Sequence, residues 1–266
     1  MHLNPMKFLS AVDIRPAKDL ILYKAYADLR AEAERTYLGV AWWLLEPLIN
    51  MGIYYYVFKV LLDRGTDDFV VFLACGVIPF QWFSGTIQQG SGAIYTSIGL
   101  IQKVPLNNIA FPIVTILKNF VRFNASLIVL FAVVFLGGFS PTVHWLAFPV
   151  LVLIQFILIL GITLPLSAIV PFFPDLLNLI GHGLRILFFM SGVFWPIPEL
   201  SPNMQSLILL NPMALMIKSF RDVLMYQSWP PIVPLLLVVL FSLIMITIGA
   251  NIVARFNQVY AKRCMQ

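Results

Sequence analysis

Residues 232–255 read IVPLLLVVLFSLIMITIGANIVAR, a run with no charged side chain before Arg255. A helix needs about 20 predominantly apolar residues to cross the hydrocarbon of a bilayer. This run supplies them, and it decides the fold class: an all-α integral membrane protein. Working outward, five further apolar runs read as spans, at 37–62, 69–84, 109–136, 145–172 and 177–195. Six transmembrane helices are expected.

Composition agrees. Of the 266 residues 60% are hydrophobic and only 11% charged, with a mean hydropathy of +0.90. A soluble domain carries roughly a quarter charged residues, so the solvent here is lipid. The net charge of +5 would suggest nucleic acid in a soluble protein. Its carriers lie beside apolar runs, which fits anionic lipid head groups and the positive-inside rule, and no nucleic-acid partner is expected. The two cysteines, Cys75 in an apolar run and Cys264 in a basic tail, give neither a disulfide nor metal spacing.

Residues 1–36 are interrupted by charge throughout, so no cleavable signal peptide is read there and the N-terminus is expected in the cytoplasm. Within them, 16–35 (PAKDLILYKAYADLRAEAER) carry Leu22, Ala25, Leu29 and Ala33 at helical spacing, with Lys24–Asp28 and Arg30–Glu34 as i,i+4 pairs. The stretch predicts an amphipathic helix lying at the interface. With the N-terminus inside and six spans, Lys7, Arg15, Lys18, Lys24, Arg30, Arg35, Lys103, Arg255, Lys262 and Arg263 fall on the cytoplasmic side. Lys59, Arg64, Lys218 and Arg221 fall on or near the outer side. That asymmetry predicts a multi-pass protein with both termini cytoplasmic.

The connections are unequal. Residues 63–68 and 137–144 are short turns, whereas 86–108 is longer and rich in Gly, Ser, Gln and Asn. The stretch 196–229 holds Pro196, Pro198, Pro202 and Pro212 among apolar helical pieces. It is too broken to span and too apolar for a free loop, so a re-entrant outer hairpin between helices five and six is expected, shielded from lipid by protein. The chain divides into a cytoplasmic N-terminus with the interfacial helix (1–36), a six-helix transmembrane domain (37–255) and a cytoplasmic tail (256–266).

Catalytic signatures are missing. There is no GxxxxGK[ST] phosphate loop, no HExxH and no GxSxG, and His2, His144 and His182 lie far apart. A transport subunit is expected rather than an enzyme, with no cofactor in this chain. Ionisable residues inside spans are more informative, because they cost free energy in hydrocarbon. Glu46 directly precedes Pro47, and reads either as a proton-coupling carboxylate or as a contact at the helix break. Lys118 and Arg122 share one helix face, with His182 and Arg185 near the start of the fifth run. They read as snorkelling anchors or as a basic pocket for phosphate. Tyr54, Tyr55 and Tyr56, with Trp82, read as an interfacial belt or as faces on which sugar rings stack. The three tyrosines cover most of a helix circumference, so at least one faces away from lipid.

Five stretches in order resemble one family, the membrane subunits of ATP-binding-cassette exporters for O-antigen, capsular polysaccharide and teichoic acid. YLGVAWWLLEPL (37–48) is similar to its LG-x-x-W-x-x-L-x-P pattern, and CGVIPFQWFSGTI (75–87) to its G-[LV]-x-P-[WF]-x-[WF]-F element. SIGLIQKVPLNNIAFP (97–112) resembles its LI-x-KV-x-FP loop, with Pro105 in place of the usual aromatic region. VPFFPDLLNLIGHGLRILFFMSGVFWPI (170–197) is similar to the connection between the fourth and fifth helices, with FFPD where FFRD is common. LLNPMALMIKSFRDVLMY (209–226) resembles the outer hairpin with its Asn-Pro turn.

The resemblance implies a homodimer of this chain in the bacterial inner membrane, bound to two copies of a separate ATPase subunit that holds ATP and Mg. It implies a lipid-linked glycan as cargo, O-antigen first among them, moved through a channel between the two copies. Ser97, Leu100, Ile101, Gln102, Lys103 and Asp175 would contact the ATPase, and 196–229 would gate the outer mouth. Two other readings stay open: an exporter of a small molecule or drug on the same fold, and a proton-coupled secondary transporter using Glu46.

Overall fold

The computed structural model describes residues 14–35, 37–63, 65–66, 68–101 and 107–262. Among these every regular element is helical. The helices are α1 (Ile14–Glu34), α2 (Trp42–Tyr55), α3 (Phe69–Ser91), α4 (Ala110–Leu136), α5 (Phe148–Ile169), α6 (Leu176–Met190), α7 (Pro202–Leu209), α8 (Pro212–Leu224) and α9 (Ile232–Lys262). Two single turns, Ala93–Thr96 and Ile98–Ile101, follow α3.

The core is built on α3, which is apolar all round and buried on nearly every side; Leu73, Ala74, Cys75 and Val77 are wholly inaccessible. A helix hydrophobic around its full circumference belongs inside a bundle. α2, α4, α5, α6 and α8 all pack on it. α5 pairs with α9 most extensively, and small residues let the two backbones touch. A methyl added at Gly161 would lie 2.8 Å from the Ser242 carbonyl oxygen, and one at Gly249 would lie 2.6 Å from the Pro165 nitrogen. Close backbone approach of this kind replaces the hydrophobic drive that lipid does not supply. Near its far end α9 is tied down by polar contacts: Tyr260 donates to the Ala168 carbonyl (2.9 Å), and Asn108 donates through its side chain to the Asn257 carbonyl (3.0 Å).

Among the described residues four helical segments are long and apolar enough to cross a membrane: Phe69–Ser91, Ala110–Leu136, Val143–Ile169 and Ile232–Asn257. The chain is therefore a multi-pass membrane protein. The other two expected spans are less regular. The first is a 3-10 turn (Gly39–Ala41), α2, and a π-helical stretch (Tyr56–Leu61) in succession. Pro47 sits inside α2 and lacks an N–H, which leaves the Trp43 carbonyl without its helical donor. Ser126 of α4 donates to that carbonyl at 3.2 Å, so the break is closed by a neighbouring helix. The fifth expected span, 177–195, stops at Met190, and α6 is about 22 Å long at 1.5 Å per residue. It ends because Gly192 takes φ +69°, which a glycine adopts without steric cost.

The 196–229 stretch is the pair α7–α8. Asn211 caps α8 by accepting from the Met213 amide (2.9 Å), Pro212 occupies the first helical position, and the Asn211 side chain donates to the Ser191 hydroxyl (2.9 Å). α8 is almost wholly buried, whereas α7 is mostly exposed. Arg221 holds α8 in place. It is 3% exposed and donates to three carbonyls, of Phe72 (3.3 and 3.1 Å), Gly192 (2.7 Å) and Val193 (2.9 Å). A methyl at Gly76 would lie 2.8 Å from its guanidinium. Arg221 is thus an internal fastening, although its charge fell on the outer side of the sequence count.

Candidate functional site

The charged centre of the molecule forms where α1 lies against α4. Glu32 of α1 sets one carboxylate oxygen 3.6 Å from Lys118 Nζ and the other against Arg122 Nη2. The two cations are less than one-quarter exposed and Glu32 is 35% exposed. Arg122 also donates to Asn119 Oδ1 (3.2 Å), and Asn119 donates to Gln89 Oε1 of α3 (3.2 Å). Next along α3, Gln88 donates to the Leu177 carbonyl at the start of α6 (3.1 Å). A line of polar side chains therefore runs from α1 through α4 and α3 to α6.

This centre borders a cleft of about 180 Å³ between α2, α3 and α4. Trp42, Trp43 and Trp82 form its aromatic walls, and Glu46, Gln81 and Gln89 its polar ones. Trp82 is stacked on Phe123 with ring centroids 4.0 Å apart. Two buried donors at the cleft, Arg122 Nε and Trp82 Nε1, find no acceptor among the described residues. A buried donor without a partner costs free energy comparable to a lost hydrogen bond. Lys118 lines a second cleft instead, of about 410 Å³, together with Lys24, Asp28, Gln88, Ser97 and Leu177.

Arg185 stands apart from this pair. It is exposed on α6 and lines a third recess with Tyr54, Phe80, Gln81, Ser84 and Phe188; Gln81 borders both this recess and the Arg122 cleft. His182, one turn earlier, is exposed as well. Of the three tyrosines, Tyr54 packs inward, its ring 5.5 Å from Phe188 and 5.0 Å from Phe194. Tyr55 and Tyr56 lie on the open surface. Trp82 is 5% exposed and stays within the bundle wall. Glu46 is exposed, and its carbonyl accepts from Asn50 (3.0 Å).

Of the residues expected to meet an ATPase, Ser97, Leu100, Ile101 and Asp175 are described. Ser97 lines the second cleft beside Leu177, and Asp175 precedes α6 with its side chain exposed and making no cap. Leu100 is exposed, whereas Ile101 is buried against Phe111, Val253 and Tyr260. Gln102 and Lys103 lie outside the described residues. Sequence reasoning missed Glu32, Asn119 and Gln89. For Glu32 a signal existed: Asp28 and Glu34 each have a cation four residues away along α1, but Glu32 has none.

The matched family model is the ABC-2 type transporter, over residues 28–225. Among curated proteins the chain is 28% identical over 247 residues to the O-antigen export system permease protein RfbA of Myxococcus xanthus, covering 92% of this chain and 95% of that one. It is 25% identical over 208 residues to the protein of the same name from Klebsiella pneumoniae, covering 78% and 80%. It is 27% identical over 225 residues to the polysialic acid transport protein KpsM of Escherichia coli, covering 84% and 87%.

Proposed function

The chain belongs to the ABC-2 type transporter family, and from that premise we propose that it is the membrane-spanning subunit of an ATP-driven exporter of lipid-linked polysaccharide. The observation that carries this reading is the match along nearly the full length of relatives named for O-antigen export and polysialic acid transport. O-antigen is the first candidate cargo.

In this reading α2 with its π-helical continuation and α6 count as spans, which makes six with both termini in the cytoplasm of a bacterium. The location is its inner membrane. α6 buries no side chain fully within one copy, which supports a second copy against it and hence a homodimer. The channel runs between the two copies, with Tyr55 and Tyr56 on surfaces available to sugar rings. Two copies of a separate ATPase bind at the end that carries Ser97, Leu100 and Asp175, and the α7–α8 hairpin closes the outer mouth.

Lys118 and Arg122 take the diphosphate of the lipid carrier as it enters from the inner leaflet. Arg binds phosphate oxygens in bidentate fashion and Lys adds a point charge. Basic pockets between helices on the cytoplasmic side are an established way of holding lipid head groups. Arg185 offers a further contact for the cargo on the far side of α3.

The test is ATPase activity of the reconstituted complex as a function of lipid-linked glycan. Substrate stimulates turnover in the wild type. Arg122→Lys shifts the stimulation curve, and Arg122→Ala loses roughly ten- to hundredfold in apparent affinity, as expected for charged hydrogen bonds worth about 1.5–3 kcal/mol. Transport driven by a proton gradient with ATP exhausted would instead favour Glu46 and a secondary transporter.

A further inference from the structure

Glu32 does to Lys118 and Arg122 what a phosphate does: it places one oxygen against each cation. A diphosphate carries more acceptor oxygens and more negative charge than a carboxylate to set against the same two cations. The helix that carries Glu32 packs along α4 but buries few of its own side chains. Among its described side chains only Ala25 is buried, and Leu22, Tyr23 and Tyr26 are 61%, 73% and 63% exposed. Among its other described charges, Lys24–Asp28 (3.3 Å) and Arg30–Glu34 (2.7 Å) pair within the helix, with Lys24 and Asp28 bordering the same cleft as Lys118. Among the described residues the ion pairs that join α1 to α4 are those of Glu32.

We propose that Glu32 is a displaceable plug on the anion site: an incoming diphosphate head group takes Lys118 and Arg122 from it, and the release of α1 from α4 reports that the site is loaded. The proposal rests on the reading of Lys118 and Arg122 as the head-group site. It adds that the empty site is held shut by an internal anion and that α1, at the face where an ATPase would dock, is the moving part. A ligand shifts such an equilibrium only by its differential affinity for the open state. Removing the Glu32 charge therefore raises affinity for the head group, and filling the site frees the helix.

The experiment uses the full chain in nanodiscs of phosphatidylcholine, with a prenyl diphosphate as the probe. Binding is measured for wild type, Glu32→Gln and the double variant Lys118→Gln/Arg122→Gln. The α1–α4 distance is read from spin labels at Tyr26→Cys and Asn124→Cys in a Cys264→Ser background. The expected result is binding about tenfold tighter or better for Glu32→Gln, the scale of one charged hydrogen bond. The probe should also lengthen the α1–α4 distance in the wild type, and the double variant should lose binding. If the double variant loses binding but Glu32→Gln binds no tighter than wild type, the head-group site stands and the plug is overturned. If the double variant binds as wild type does, the head-group reading itself fails and takes the plug with it. A second set of nanodiscs contains phosphatidylglycerol without the probe. Full release of α1 there would assign the ligand to bulk lipid phosphate and overturn the role of α1 as a reporter of loading.

Discussion

Arg221 donates twice to the carbonyl of Phe72, and its guanidinium carbon sits 3.3 Å from the centroid of the same residue's ring. One side chain thus engages both the backbone and the aromatic face of a residue 149 positions away. The remaining donors hold the carbonyls of Gly192 and Val193, where the chain leaves α6. The α7–α8 pair, the central helix and the end of α6 thus meet at a single cation.

Arg221→Ala therefore removes the buried donor to the Gly192 and Val193 carbonyls, at about 1–3 kcal/mol each. Arg221→Lys keeps the charge but not the planar fork or the stacking on Phe72. Thermal unfolding of the purified full chain should show the Ala variant well below wild type and the Lys variant between them. An unchanged midpoint for Arg221→Ala would remove the fastening role.

The α5–α9 contact gives a second stability test. Gly249→Ala forces a methyl against the Pro165 nitrogen, and such overpacking costs about 1–3 kcal/mol. Gly85 has nothing within 4 Å of its would-be Cβ, so Gly85→Ala should be neutral or stabilising by up to about 1 kcal/mol through helix propensity. Equal effects of the two substitutions would argue against the close approach.

The tyrosines separate packing from transport. Tyr54→Leu loses ring contacts with Phe188 and Phe194, worth about 0.5–1.5 kcal/mol each beyond area burial, and should lower the unfolding midpoint. Tyr55→Leu and Tyr56→Leu should leave the midpoint alone. If sugars slide over one of those two faces, that variant alone reduces surface polysaccharide in a strain dependent on the exporter. Uniformly normal export would leave them as interfacial residues.

Topology is tested by thiol labelling in a Cys264→Ser background, Cys75 being buried. Ser140→Cys, between α4 and α5, should react with a membrane-impermeant reagent from outside. Ser97→Cys should react only after the membrane is opened. Reaction of Ser97→Cys in intact cells would invert the arrangement.

Energy coupling gives the last prediction. Without a phosphate loop in its sequence, the purified chain should hydrolyse no ATP until a separate nucleotide-binding subunit is added. Turnover by the pure chain would contradict the division of labour proposed here.

Much of this molecule is legible along the chain because the cues are local. Hydrocarbon demands length and apolarity, and 232–255 and 109–136 satisfy both without reference to anything else. Asn211 and Pro212 mark the start of α8 by cap chemistry alone. The i,i+4 pairs of α1 were readable from spacing, because the helix itself brings the partners together. Where two distant segments had to be combined, the reading stopped short. Lys118 and Arg122 stand out as charges sharing a face, but the carboxylate that meets them lies on another helix.

The sequence by itself determined that this is a helical membrane protein, where its apolar segments lie and which charges are costly enough to need a reason. Only the tertiary structure decided what those charges touch: that Glu32 closes on Lys118 and Arg122, that Arg185 belongs to a different recess, and that Arg221 fastens α8 to Phe72. The physical reason is range. Hydropathy and helix capping act within a few residues of chain, whereas an ion pair or a guanidinium–carbonyl contact depends on which helices pack side by side.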